Sequence, residues 1–324
     1  MRAAVDIPPR PDAPLPVGIS QCLTGEEVRY DGSGARSSMP HAALSGLFIY
    51  RTFCPEVGIG MTVPREPIRL VGTADDYRVV GAKDPTIDKT DDLVAYAEAQ
   101  VGNMADLAGY IFMHNSPSCG LMRVKVYPGP DAPASRQATG IYARTVTRAL
   151  PNLPAEDAGR LFDVVLRENF VTRVFTYAHW QRLRAELDAA RLIAFHSRYK
   201  YLLLAHSMPA YQAAGRLLSD LKGDLEQKAE DYIAVLMSGL KQVATRKGHA
   251  NVLSHLQGYL KKHLDSASRQ ELDQLISAYR LGEQPLLAPL ALLKHHFRQF
   301  PDEYVLNQSY FEPHPTQAAL RRPL

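Results

Sequence analysis

Three cysteines, Cys22, Cys54 and Cys119, are the residues of this chain best suited to chemistry, and each has small, stiff or polar neighbours. The segments read Gln21-Cys-Leu-Thr-Gly-Glu-Glu-Val-Arg-Tyr-Asp-Gly32, Phe53-Cys-Pro-Glu-Val57 and Asn115-Ser-Pro-Ser-Cys-Gly120. None forms the close Cys-x-x-Cys pair of a zinc finger or the Cys run of a ferredoxin. An odd, low count also argues against a disulfide framework. Two readings stay open. The thiols are separate buried side chains, as free cysteines often are. Alternatively, three thiolates on strand-end loops hold a metal centre, and on a cubane iron–sulfur cluster they leave one iron as an open Lewis-acid position.

The neighbouring residues suit the second reading. Pro55 and Pro117 stiffen their loops, while Gly25 and Gly120 permit close backbone approach. Glu56, beside Cys54, is a candidate general base or a solvated loop carboxylate. Ser116 and Ser118, just before Cys119, are candidate positioning hydroxyls or turn and cap residues. Arg29, Tyr30 and Asp31 are placed to seat a polar substrate, although Asp31-Gly32 also reads as a turn pair. Arg65, in Pro64-Arg-Glu-Pro67, either faces the same site or pairs with Glu66.

The first part of the chain reads as α/β with a mostly parallel, Rossmann-like sheet. Leu15–Ser20, Leu47–Tyr50 and Ala108–Met113 read as strands, each leading into one cysteine, and Ile68–Val71 reads as another. Asp91–Leu107 has helical periodicity. Ligands of such sheets sit beyond the carboxyl ends of the strands, so all three cysteines are expected at one edge. Residues 129–137, with Pro130 and Pro133, read as a surface loop. From about Glu156 onward the pattern is helical, with helices expected over Tyr211–Leu225, Lys228–Leu240, Asn251–Leu264, Ser268–Leu281 and Leu286–Phe300. Breaks are expected at Pro209, Gly248, Ser266 and Gly282–Pro285. The expected organisation is a flexible extension (1–14), an α/β domain (15–165), a linker helix (166–190) and an all-α domain (191–324).

With 324 residues, 46% hydrophobic and 22% charged, the chain is too apolar for a largely disordered protein and long enough for two domains. No apolar run approaches the roughly 18 residues of a membrane-spanning helix. The N-terminal MRAAVDIPPRPDAPLP has no apolar core of a secretory signal, so a cytoplasmic location is expected. Charge divides unevenly: residues 1–165 hold 16 Lys/Arg against 19 Asp/Glu, and the remainder holds 21 against 15. Nine of the 11 histidines also lie in that basic remainder. Its cations, among them Arg198, Lys200, Arg246, Lys247, Lys261, Lys262 and Lys294, are interleaved with Tyr199, Tyr201, Tyr259 and Phe297. Such a mixture suits RNA phosphates and unstacked bases, or a solvated helical surface over an apolar core.

Cys22-Leu-Thr-Gly, Val28-Arg-Tyr-Asp-Gly32, Cys54-Pro-Glu-Val57, Pro64-Arg-Glu-Pro67 and Ser116-Pro-Ser-Cys-Gly120 occur in an order that resembles the thiouracil desulfurase family, over roughly residues 15–165. The second part is similar to a family of uncharacterised domains often fused to the first. Its marks are Phe195-His-Ser-Arg-Tyr-Lys200, His249-Ala-Asn-Val-Leu-Ser-His255 and Pro285-Leu-Leu-Ala-Pro-Leu290. The first resemblance implies a 4Fe–4S cluster on Cys22, Cys54 and Cys119, with Glu56 and Ser116 as the essential carboxylate and hydroxyl. It implies exchange of a pyrimidine thiocarbonyl sulfur for oxygen. Two-domain members resemble enzymes acting on 4-thiouridine in tRNA, so tRNA is the expected partner. Many relatives carry a basic residue shortly before Ser-Pro-Ser-Cys, where this chain has Met113-His-Asn115. Two other functions remain open: desulfuration of free thiopyrimidines, and a non-catalytic iron–sulfur sensor whose helical domain binds nucleic acid or protein.

Overall fold

The computed structural model describes residues 7–129 and 133–315. It separates into two compact units, one spanning Asp12–Asp163 and the other comprising residues 7–11 and 164–315 among those described.

In the first unit the strands are β1 (Leu15–Ser20), β2 (Phe48–Phe53), β3 (Ile68–Gly72), β4 (Tyr77–Gly81), β5 (Gly109–Phe112), β6 (Val124–Tyr127), β7 (Ser135–Ala138) and β8 (Ala155–Asp157). The helices are α1 (His41–Leu44), α2 (Pro55–Gly58), α3 (Thr90–Val101) and α4 (Ile141–Ala149). One sheet has the order β2-β1-β5-β8 and every pairing in it is parallel. Its central strands are mainly apolar, as parallel strands covered on both faces tend to be: Val17, Ile19, Tyr110, Ile111 and Phe112 are fully buried. Gly18 is required in β1 because a Cβ there would enter the Tyr110 ring.

The second sheet, β4-β3-β6-β7, joins one parallel to two antiparallel pairings. Most of it escapes the sequence pattern. The stretch read as a loop over 129–137 contains the start of β7, and residues 130–132 lie outside the described residues. β7 is a polar edge strand, Ser135-Arg-Gln-Ala138, and only Ala138 is buried, so no apolar alternation marks it.

The second unit is helical: α5 (Val164–Arg184), α6 (Ala189–His206), α7 (Met208–Leu218), α8 (Leu225–Lys241), α9 (Arg246–Tyr259), α10 (Ser266–Leu281), α11 (Leu287–Gln299) and α12 (Glu303–Leu306). Side chains of Asp188, Ser207, Asp224, Thr245, Asp265 and Asp302 each accept an N–H of the first turn of α6, α7, α8, α9, α10 and α12 respectively. These caps explain where the helices begin, and they correct two expected breaks. Pro209 sits in the first turn of α7, where a missing N–H costs nothing. Gly248 lies in the first turn of α9, where its N–H reaches Thr245 Oγ1 at 3.0 Å.

Residues 166–190, expected as a linker helix, fall within the helical unit. α5 is integral to the helical unit: Trp180 and Leu183 join its core, and Asn169 Nδ2 donates to the Leu240 carbonyl at 2.8 Å. The start of the described chain is likewise tied down. Pro8 O accepts from His179 Nε2 at 2.7 Å, and the expected extension otherwise lies partly in residues 1–6, outside the described set. Among the described residues no helix is long and apolar enough to cross a membrane.

A Cβ at Gly248 would meet the Ala205 carbonyl oxygen of α6, whereas one at Gly215, on exposed α7, meets nothing within 4 Å. Gly248→Ala is therefore expected to lower stability by about 1–3 kcal/mol. Gly215→Ala is expected to raise it by roughly 0.5–1 kcal/mol. Urea denaturation of the two variants checks this opposition of sign.

Candidate active site

Parallel pairing brings the carboxyl ends of β2, β1 and β5 side by side, and the three cysteines follow these three strands. Cys22 lies in the turn after β1, where its carbonyl takes N–H bonds from Gly25 (3.2 Å) and Ala35 (2.8 Å). Gly25 adopts φ 103°, a backbone position that favours glycine. Cys54 caps α2, with Pro55 in the first helical position, and its carbonyl accepts from Gly58 N at 2.8 Å. The Cys119 loop is clamped from several sides. Backbone N–H groups of Ile141 and Ala143, opening α4, donate to Pro117 O (3.1 Å) and Ser118 O (3.2 Å). Gly140 permits this approach, because a Cβ there would strike Ser118.

The three thiols line one pocket of about 390 Å³ with Arg29, Tyr30, Glu56, Arg65, His114, Ser116 and Ser118. All are free of disulfides. Burial pushes Cys22 up to about 11, and the neighbouring Cys54 adds to the rise. Burial also raises Cys54 and Cys119, and Cys119 is further raised by Cys54, Glu56 and Cys22. The thiols therefore share one electrostatic environment. A cation bound there would favour their charged forms instead.

Among the described residues no group of three or more His, Cys, Asp or Glu side chains stands close enough to hold a metal ion. A single ion needs its donors gathered at about 2.3 Å from one centre, whereas a cubane spreads three thiolates over three irons. Cys22, Cys54 and Cys119 offer three thiolate donors to one pocket, the number that a cubane with one open iron would take.

Glu56 is held on both oxygens. Its Oε2 accepts Arg65 Nε at 2.8 Å and Nη2 at 2.7 Å, and its Oε1 accepts Ser118 Oγ at 2.5 Å. Arg65 also donates to Val28 O at 2.9 Å. Its partner is thus Glu56 and not Glu66, which instead accepts backbone N–H groups of Lys83 and Asp84. The Arg65 and Glu56 side chains are 5% and 13% exposed, so this is a sheltered pair with two N–H groups on one oxygen and not a solvated loop carboxylate.

Ser116 does not reach Glu56 itself. Its Oγ accepts N–H bonds from Ser118 (3.3 Å) and Cys119 (3.0 Å) and lies 2.9 Å from Ser118 Oγ. Ser118 has one hydroxyl hydrogen and gives it to Glu56, so Ser116 is the donor in the bond between the two serines. Asp31 is outside the pocket. It is exposed and accepts Ser33 N–H at 3.1 Å and Ser33 O–H at 2.6 Å, which shapes the turn and lowers its pKa. Two contributors carried no spacing signal: Ser20, whose Oγ accepts Met113 N–H at 2.9 Å, and the Arg65–Glu56 pairing across nine residues.

The basic positions of the helical unit divide. Lys200 lies 4.8 Å from the Tyr304 ring centre and 5.1 Å from that of Tyr201. Arg246 donates to Tyr279 O at 3.1 Å, near the end of α10, and Lys294 pairs with Glu312 at 2.8 Å. These three have structural partners. Arg198 lines a cavity of about 570 Å³ with Tyr304 and Gln308, and Lys247 lines a polar groove with Arg280. Lys261 and Lys262 are exposed just beyond α9.

Asp157 closes β8 and holds the residues after Cys119 through Leu121 N–H at 3.0 Å. Burial raises its pKa to about 6 despite that bond. The folded state therefore binds this proton more tightly than the unfolded chain, and the associated stability, full below about pH 4, is lost as pH rises to about 6. Asp157→Asn keeps the acceptor without the charge. Its stability relative to wild type is expected to increase as pH rises from about 4 to 6, as read from urea midpoints; a constant difference would contradict the assignment.

The family model for 2-thiouracil desulfurase matches residues 17–158, and that for DUF1722, a family of unknown function, matches residues 200–315. The uncharacterised protein YbgA of Escherichia coli K12 is 39% identical over 157 residues, which is 48% of this chain and 93% of YbgA. The uncharacterised protein YbbK of Bacillus subtilis 168 is 33% identical over 108 residues, 32% of this chain and 71% of YbbK. A solved structure of a 4Fe–4S-dependent thiouracil desulfidase, TudS, is similar at 24% identity and a TM-score of 0.36, over 49% of this chain and all of TudS. The chain belongs to the 2-thiouracil desulfurase family, with a DUF1722 domain as its second part.

Proposed function

We propose that this protein is a thiopyrimidine desulfidase, in which a thiocarbonyl and water give a carbonyl and hydrogen sulfide. The observation that carries the reading is one pocket lined by three free cysteines and by a carboxylate fixed between Arg65 and Ser118. Cys22, Cys54 and Cys119 are the residues that would hold a 4Fe–4S cluster. An iron without a protein ligand supplies a soft Lewis acid matched to a thiocarbonyl sulfur.

The remaining work falls to this chain's own side chains. Arg65 occupies Glu56 Oε2 and Ser118 occupies one lone pair of Oε1. One lone pair on Oε1 is left to accept the proton of an attacking water. Ser118 fixes the carboxylate plane, and Ser116 fixes Ser118, so Ser116 acts as a positioning residue one bond removed from the base. Glu56→Gln is expected to lower turnover by about 10²-fold or more while iron content stays unchanged. Iron retained with full activity would remove Glu56 from its role.

We further propose 4-thiouridine in tRNA as the substrate, supported by the basic surplus of the second part and by exposed Lys261 and Lys262. One observation favours free thiopyrimidines instead. Every residue lining the pocket lies between Ser20 and Cys119, and the volume of about 390 Å³ suits a small molecule. Charge reversal of Lys261 and Lys262 separates the two readings. Loss of activity on tRNA, with activity on free 4-thiouracil intact, is the expected result. Equal activity on both would favour the free base.

A further inference from the structure

His114 lines the pocket. Its Nδ1 is fully buried and has no partner. That nitrogen faces Gly159, where an added Cβ would sit 3.2 Å from it. Burial, with Arg29 nearby, lowers the His114 pKa and so favours the neutral ring, which carries one N–H. A buried N–H without an acceptor is the rarer and costlier of the two possible defects; an unfilled acceptor is better tolerated. The proton therefore belongs on Nε2, and the ring offers the pocket one uncharged N–H donor.

We propose that His114 is a specificity residue whose Nε2–H donates to the carbonyl oxygen that a thiopyrimidine carries two ring positions from its thiocarbonyl. The inference rests on the desulfidase reading and narrows its substrates to rings bearing both groups. An oxo group two ring positions away from the reacting carbon is a hard acceptor that matches a neutral N–H. The soft sulfur is left to the cysteine-lined side. A site built around one donor rejects a ligand lacking the acceptor, because the donor then loses water and gains nothing.

The test uses the reconstituted protein and two ligands that are not turned over: uracil, and 4-pyrimidinone, which lacks the 2-oxo oxygen and the N1–H that accompanies it. Each is titrated as a competitor of 4-thiouracil. Wild type is expected to prefer uracil by about fivefold to tenfold. His114→Phe should abolish that preference, and His114→Gln, which restores an amide N–H, should recover part of it. The visible spectrum and iron content of both variants should match wild type. A preference that survives His114→Phe, or no preference in wild type, would overturn the proposal. So would a changed cluster spectrum, which would make His114 a ligand. If wild-type protein takes sulfur from no thiopyrimidine, the desulfidase reading fails and the inference falls with it.

Discussion

Parallel pairing of β1 with β2 on one side and β5 on the other is the constraint on which the site depends. Cys22, Cys54 and Cys119 are far apart in sequence, and no local element could gather them. In a parallel sheet all strands end on the same edge, so three strand-end loops become neighbours without a dedicated device. The rest of the α/β unit stiffens those loops. Two amides at the start of α4 hold the Ser116–Gly120 loop, Asp157 holds the residues after Cys119, and Pro55 starts α2 beside Cys54.

Electrostatics inside the pocket are arranged around a sheltered carboxylate. Leaving Glu56 alone near three thiols would cost several kcal/mol, since an uncompensated charge taken out of water is expensive. Arg65 offsets that cost with two N–H bonds to one oxygen and anchors itself on Val28 O. The same bonds dictate geometry. With Arg65 on Oε2 and Ser118 on Oε1, the carboxylate cannot rotate, and the serine pair acquires a single donor order leading toward Glu56.

The parts of this arrangement legible in the sequence were those with periodicity or strong residue chemistry. β1, β2 and β5 are apolar runs ending near a cysteine, and the long helices show a 3.6-residue repeat, so fold class and the convergence of the thiols could be read. β7 could not, because a polar edge strand has no alternation. Gly248 misled, because a glycine that ends one helix also permits two helices to touch, and only the Ala205 contact tells them apart. Arg65 was readable as a site residue but not its partner, since sequence adjacency favours Glu66 and the turn geometry favours Glu56. Asp31 follows Cys22 closely in sequence, which suggests a place in the site, yet its side chain folds back on Ser33. Basic residues were the least legible, since Lys200, Arg246 and Lys294 spend their charge within the helical unit.

The most direct measurement is iron and sulfide analysis of anaerobically reconstituted wild-type protein beside Cys54→Ser, with 4-thiouracil desulfuration followed on the same samples. The account predicts about four irons per wild-type chain with turnover, and loss of both in Cys54→Ser. Full desulfuration by a wild-type chain that binds no iron, or by Cys54→Ser, would contradict it.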